Sequence, residues 1–131
     1  MVYVFLANGF EELEALAPID VLRRAGVEVV TVGVGSDNIT ASHGVKFITD
    51  MTSDQIKLTD DLEMIVLPGG MPGAINLENS PEITIAVINI GITKKLLYIS
   101  NFRFVTPFFF LKFSETSKLM SPVVFFKNTA I

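Results

Sequence analysis

The chain has 131 residues, of which 50% are hydrophobic and 18% charged, a balance that excludes a disordered chain and suits one domain with a buried core. Residues 1–90 carry Lys+Arg 4 against Asp+Glu 13, and residues 91–131 carry 6 against 1, within an overall net charge of −4. The acidic body argues against a nucleic-acid partner, zero cysteines exclude disulfides and a thiolate nucleophile, and no apolar run reaches the ~20 residues of a membrane span.

Val2–Ala7 is a short apolar run ending at Asn8-Gly9 and reads as a buried first strand. It has no basic segment before it and soon meets Glu11-Glu12, so it does not read as a signal peptide and a cytoplasmic address is expected. Glu11–Ala25 reads as a helix, with an acidic first turn and Leu13, Leu16, Ile19 and Leu22 on one broad face. Arg23-Arg24 close it, Gly26 stops it, and Pro18 predicts a kink. Val27–Val34 is a β-branched second strand, Gly35–Gly44 a polar loop, and Val45–Thr49 a short third strand.

Ser53–Asp61 reads as a polar connection with room for one helical turn. Glu63–Leu67 is a buried strand broken by Pro68-Gly69-Gly70. Ser80-Pro81-Glu82 supplies an N-cap, a first-turn proline and an early carboxylate, predicting a helix towards Lys94. Leu96–Ser100 is one more strand. Strands alternating with helices imply a parallel sheet covered on both faces. Beyond Asn101 the pattern dissolves. Residues 101–131 hold eight of the eleven phenylalanines and no glycine, and are expected not to complete the sheet.

Two places could carry chemistry. The corner Val66-Leu67-Pro68-Gly69-Gly70 falls at the carboxyl end of a strand, where ligands gather in open α/β sheets. Its glycines serve either as a tight turn, the simpler reading on spacing alone, or as backbone donors to an oxyanion. Glu11, Glu12 and Glu14 lie at the same end of the sheet. Glu11 and Glu12 are accounted for by the helix dipole, but periodicity does not choose between Glu12 and Glu14 as a carboxylate held in an apolar crevice. Gly33-Val34-Gly35 lacks the third glycine of a dinucleotide fingerprint. His43, the single histidine, reads as a solvated loop residue without a partner. No spacing suggests a metal site, and neither a metal nor another cofactor is expected.

Asn8-Gly9-Phe10-Glu11-Glu12-Leu13-Glu14-Ala15 with Pro18-Ile19-Asp20-Val21-Leu22-Arg23-Arg24-Ala25-Gly26 resembles the opening of DJ-1/PfpI (ThiJ/PfpI) proteins, within the class I glutamine amidotransferase-like superfamily. Val66-Leu67-Pro68-Gly69-Gly70 followed by Gly73-Ala74-Ile75-Asn76-Leu77 resembles their second hallmark, and the likeness covers residues 1 to about 100. It implies a flavodoxin-like three-layer α/β sandwich, incomplete on its C-terminal side, and a homodimer. Members include glyoxalase- and deglycase-type enzymes acting on small reactive carbonyls, and chaperone-like proteins. By position, Glu14 matches the catalytic glutamate beside the nucleophile, and Gly69 and Gly70 match the oxyanion donors.

The family's nucleophile is a cysteine on a strand-to-helix elbow, expected near positions 101–104, where this chain has Asn101-Phe102-Arg103-Phe104. The simplest account is a shift of reading frame or rearrangement near residue 100, giving a partial domain over 1–100 and a Phe-rich basic tail over 101–131. The resulting expectation is a fragment inactive in cysteine chemistry, or a non-catalytic binding or chaperone-like protein. A flavin or phosphate binder ranks last, because Glu11, Glu12 and Glu14 would repel the phosphate.

Overall fold

The structure is a computed structural model that describes residues 1–92, 96–100 and 124–126. The first strand, β1 (Val2–Leu6), is buried along its whole length and occupies the middle of the main sheet. It pairs in parallel with β2 (Val29–Gly33) on one side and with β6 (Met64–Leu67) on the other. A strand flanked on both edges and covered on both faces has no polar side to show, which is why Val-Tyr-Val-Phe-Leu reads as an unbroken apolar run.

Beyond β6 lies β7 (Leu96–Ser100), and beyond β2 lies the two-residue β5 (Met51–Thr52), all parallel. A last strand, β8 (Val124–Phe126), pairs in parallel with β7, so the order is β5-β2-β1-β6-β7-β8. Residues 101–131 are expected not to complete the sheet, and three of them add an edge strand beside β7. Val123-Val124-Phe125-Phe126 is a short β-branched and aromatic run, preceded by the turn pair Ser121-Pro122 and suited to an edge beside β7. The remainder of the tail lies outside the described residues.

Alternate side chains of β1 feed two cores. Tyr3 and Phe5 join Ile65, Leu67, Leu77, Ile83, Val87 and Ile90 beneath helices α2 (Gly73–Glu78) and α3 (Pro81–Ile92). Val2, Val4 and Leu6 join Phe10, Ala15, Ile19, Ile39 and Val66 beneath helix α1 (Glu12–Arg24). This is the three-layer sandwich expected, with helices on both faces. Among the described residues, no helix is long and apolar enough to cross a membrane.

α1 begins at the N-cap Glu11, runs through Pro18 and ends at Ala25. Gly26 follows at φ +78°, with its N–H on Arg23 O and the Val27 N–H on Leu22 O, the paired bonds of a Schellman stop. Its buried face centres on Ala15 and Ile19, which leaves Leu13 75% exposed rather than in the core as its spacing suggested. Leu13 lies two residues from Ala15, about 200° around the helix and so on the far side.

The polar segment Gly35–Gly44 is not all loop. Asn38–Thr40 form β3, antiparallel to β4 (Lys46–Ile48), in a separate two-stranded ribbon. The third strand expected over Val45–Thr49 thus exists but belongs to this ribbon, and β5 takes the place beside β2. Ser53–Gln55 make the single helical turn expected of the polar connection. Ser80 occupies the N-cap position of α3, its carbonyl accepting the Thr84 N–H, but its hydroxyl donates to the Glu82 carboxylate.

Candidate functional site

The site is assembled where the first turn of α1 meets the corner between β6 and α2. Glu11 caps the helix, its Oε2 accepting the Glu14 N–H at 2.8 Å. A glutamate three residues after an N-cap commonly reaches back to the cap's own N–H. Here the Glu11 N–H instead donates to Gly69 O at 2.8 Å, and Gly69 N–H donates to Glu14 Oε2 at 2.6 Å. Both backbone groups of Gly69 are therefore satisfied by the first turn of α1. Glu14 and Gly69, 55 residues apart, meet at the carboxyl ends of β1 and β6.

Gly70 is required by geometry. It sits at φ +99°, and a Cβ there would lie 2.4 Å from Glu11 N and 2.6 Å from Gly9 O. The corner thus presses its backbone onto the backbone of Gly9, Phe10 and Glu11, and a cis peptide joins Met71 to Pro72 just beyond. The tight-turn reading of Gly69-Gly70 holds as geometry, and the Gly69 N–H is engaged by the Glu14 carboxylate.

Glu12, the carboxylate that periodicity could not separate from Glu14, is also engaged. It faces the turn of the β3–β4 ribbon, where it accepts the His43 N–H at 2.7 Å, the Ser42 hydroxyl at 2.9 Å, and has His43 Nδ1 at 2.8 Å. The His43 ring beside it, with these further donors, holds the Glu12 carboxyl down at about 2 against the cost of burial. The same contact raises the His43 pKa, with the Glu12 charge adding to it. His43 therefore has a partner, contrary to the reading as a lone loop residue. Thirty-one residues separate the two, and no local pattern signals such a contact. The fold also brings Glu11, Glu12 and His43 within one small cluster that no spacing indicated.

Asn8 is a second contribution not anticipated. Its Oδ1 accepts the Thr40 N–H at 2.8 Å and its carbonyl accepts Asn76 Nδ2 at 2.8 Å, joining the ribbon and α2 to the end of β1. An open cleft of about 430 Å³ lies nearby, against Thr52, Asp54, Asn79, Ser80 and Glu82. It is lined by none of Glu14, Gly69 and Gly70. The positions Asn101-Phe102-Arg103-Phe104, where a nucleophile was sought, lie outside the described residues.

A parallel sheet between helices, with a glutamate of the first helix on the glycine corner after β6, defines the flavodoxin-like sandwich of the DJ-1 superfamily. The DJ-1/PfpI family profile matches residues 1–97, and the chain belongs to that family. It is 37% identical over 81 residues to the Parkinson disease protein 7 homolog of Danio rerio, covering 61% of this chain and 43% of that protein. It is 31% identical over 95 residues to a deglycase of Thermococcus kodakarensis, covering 72% of this chain and 52% of the relative. The oxidized DJ-1 of Toxoplasma gondii superposes with a TM-score of 0.72 at 33% identity, over 76% of this chain and 54% of that structure. The chain thus spans about half the length of these relatives, or less.

Proposed function

We propose that this chain is a partial DJ-1/PfpI domain descended from enzymes that process small reactive carbonyls, and that it lacks their covalent chemistry. The observation that carries the reading is the Glu14–Gly69 contact in a chain with no cysteine. In a Cys–Glu site the thiolate attacks the carbonyl, the glutamate handles the proton, and backbone N–H groups stabilise the oxyanion. Here Glu14 would supply the proton transfer and the Gly69-Gly70 corner the backbone donors, the Gly69 N–H having first to leave Glu14 Oε2. Nothing supplies the thiolate. The deglycase among the relatives supports the substrate class, and a cytoplasmic setting accords with a fold free of disulfides.

The test is turnover of methylglyoxal and of glycated amines by the purified chain. The expected result is the buffer rate, unchanged in Glu14→Gln. Turnover above background that disappears in Glu14→Gln would overturn the requirement for cysteine.

A second reading, a non-catalytic binding protein acting as a homodimer, is favoured by α1. This helix exposes Leu13 (75%) and Val21 (63%) two turns apart on one face. Light scattering on the purified chain tests it. A dimer that Leu13→Glu converts to a monomer supports the reading, and a monomeric parent chain removes it.

A further inference from the structure

We propose that Glu11, Glu12 and His43 bind one divalent cation of the borderline class, with Zn²⁺ as the type case, where α1 meets the β3–β4 turn. The site adjoins the Glu14–Gly69 contact through Glu11 but does not depend on the functional reading above. Its donor atoms, one imidazole nitrogen and two carboxylate oxygens, all lie within 4.8 Å of one another. They come from two elements brought together by the fold rather than from one run of acidic residues. Nitrogen–oxygen sets of this kind suit Zn²⁺, Ni²⁺ and Cu²⁺, whereas Mg²⁺ and Ca²⁺ prefer oxygen alone.

The geometry needs little adjustment. Bonds of ~2.0–2.2 Å to a metal place neighbouring donor atoms ~3 Å or slightly more apart. His43 Nδ1 and Glu12 Oε2 already stand at 2.8 Å, so a modest opening admits the ion in place of the shared proton. That proton leaves to solvent as the ion binds.

Glu12 is aimed in advance. Its side chain is only 11% exposed, and the His43 N–H on Oε1 and the Ser42 hydroxyl on Oε2 supply the outer hydrogen bonds that orient a ligand. Glu11 spends Oε2 on the Glu14 N–H, which leaves Oε1 to coordinate. The His43 side chain is 75% exposed, so the ion enters from solvent and water completes its coordination.

Charge is the independent observation. Among the described residues no Lys or Arg side chain pairs with Glu11 or Glu12, and His43 is the one cationic partner. Neither carboxylate is therefore neutralised by a permanently charged side chain. The positive end of α1 opposes a cation with roughly half an elementary charge, which two full negative charges outweigh.

The experiment is calorimetric titration of the whole chain with ZnCl₂, with circular dichroism on every variant and Co²⁺ as a spectroscopic probe. The expected result is one Zn²⁺ per chain, weakened more than ~10-fold in His43→Gln and in Glu11→Gln. Visible Co²⁺ bands should be present in the parent and absent in His43→Gln. If His43→Gln lost its fold, Glu11→Gln would carry the test, since the amide still caps the helix. Zn²⁺ affinities of both folded variants within twofold of the parent, or no parental binding at ~1 mM ZnCl₂, would overturn the proposal.

Discussion

Glu12 holds His43 by two atoms at once, taking the backbone N–H on one carboxylate oxygen at 2.7 Å and meeting the ring Nδ1 with the other at 2.8 Å. This ties the β3–β4 turn to the start of α1 and makes stability depend on pH in a defined way. The Glu12 carboxyl titrates at about 2 rather than 4.5, so its contribution is present above the ordinary value and is lost as pH falls towards 2. The His43 pKa is raised above 6.5, so its contribution is present below that value and is lost as pH rises through the folded pKa. Urea unfolding of the parent and His43→Gln should therefore differ most between pH 4.5 and 6.5. The gap should close on both sides, and a gap independent of pH would refute the ion-pair account.

Gly70 and Gly26 share a positive φ, at +99° and +78°, but differ in surroundings. An added Cβ at Gly26 meets nothing within 4 Å, whereas at Gly70 it meets three backbone atoms closer than 3 Å. Gly26→Ala should cost about 1 kcal/mol, the strain of a left-handed residue alone. Gly70→Ala should cost about 2–5 kcal/mol, because steric overlap adds to the strain. Denaturant midpoints of the two variants give the comparison, and equal losses would remove the close-approach argument.

Glu14→Ala takes the acceptor from the Gly69 N–H and should lower stability by ~1–3 kcal/mol. Glu14→Gln keeps an acceptor oxygen and should recover most of that loss. Thermal unfolding separates them, and an alanine variant as stable as the glutamine variant would show that the contact contributes nothing.

Asp50 provides an acid-sensitive contact far from the site. Burial works to raise its pKa, but the Thr31 N–H and hydroxyl, together with Arg23, outweigh this and hold it below 3.8. Its contribution is thus present above the ordinary value and lost below it. Asp50→Asn should destabilise the chain at pH 6 and progressively less below pH 3.8, read from unfolding curves across that range.

Much of this fold was legible because the buried strands are self-announcing. β1, β6 and β7 are continuous apolar runs ended by turn residues, and α1 carries its acidic start, basic end and stopping glycine in order. β3 was missed because Asn38-Ile39-Thr40 offers one apolar residue between two exposed polar ones, too little to show a period. α2 was missed because it is six residues long and starts on Gly73, without a capping side chain. Glu14 and Gly69 were paired through the family resemblance, since periodicity left Glu12 an equal candidate. The Glu12–His43 contact had no sequence signal, because it arises only once the ribbon folds over the helix.

The junction at Asn8-Gly9 bears on how the molecule breathes. Thr40 exchanges hydrogen bonds with both residues, its N–H going to Asn8 Oδ1 and its carbonyl accepting the Gly9 N–H, while Gly73 N–H and Asn76 Nδ2 bind the carbonyls of Gly9 and Asn8. The ribbon and α2 thus share one anchor at these two residues, in addition to those each makes elsewhere. Loosening these two residues therefore weakens the hold on both peripheral elements at once. In native-state amide exchange Asn8→Ala should lower protection at both the Thr40 and Gly73 protons, and more at Thr40, whose N–H loses its acceptor.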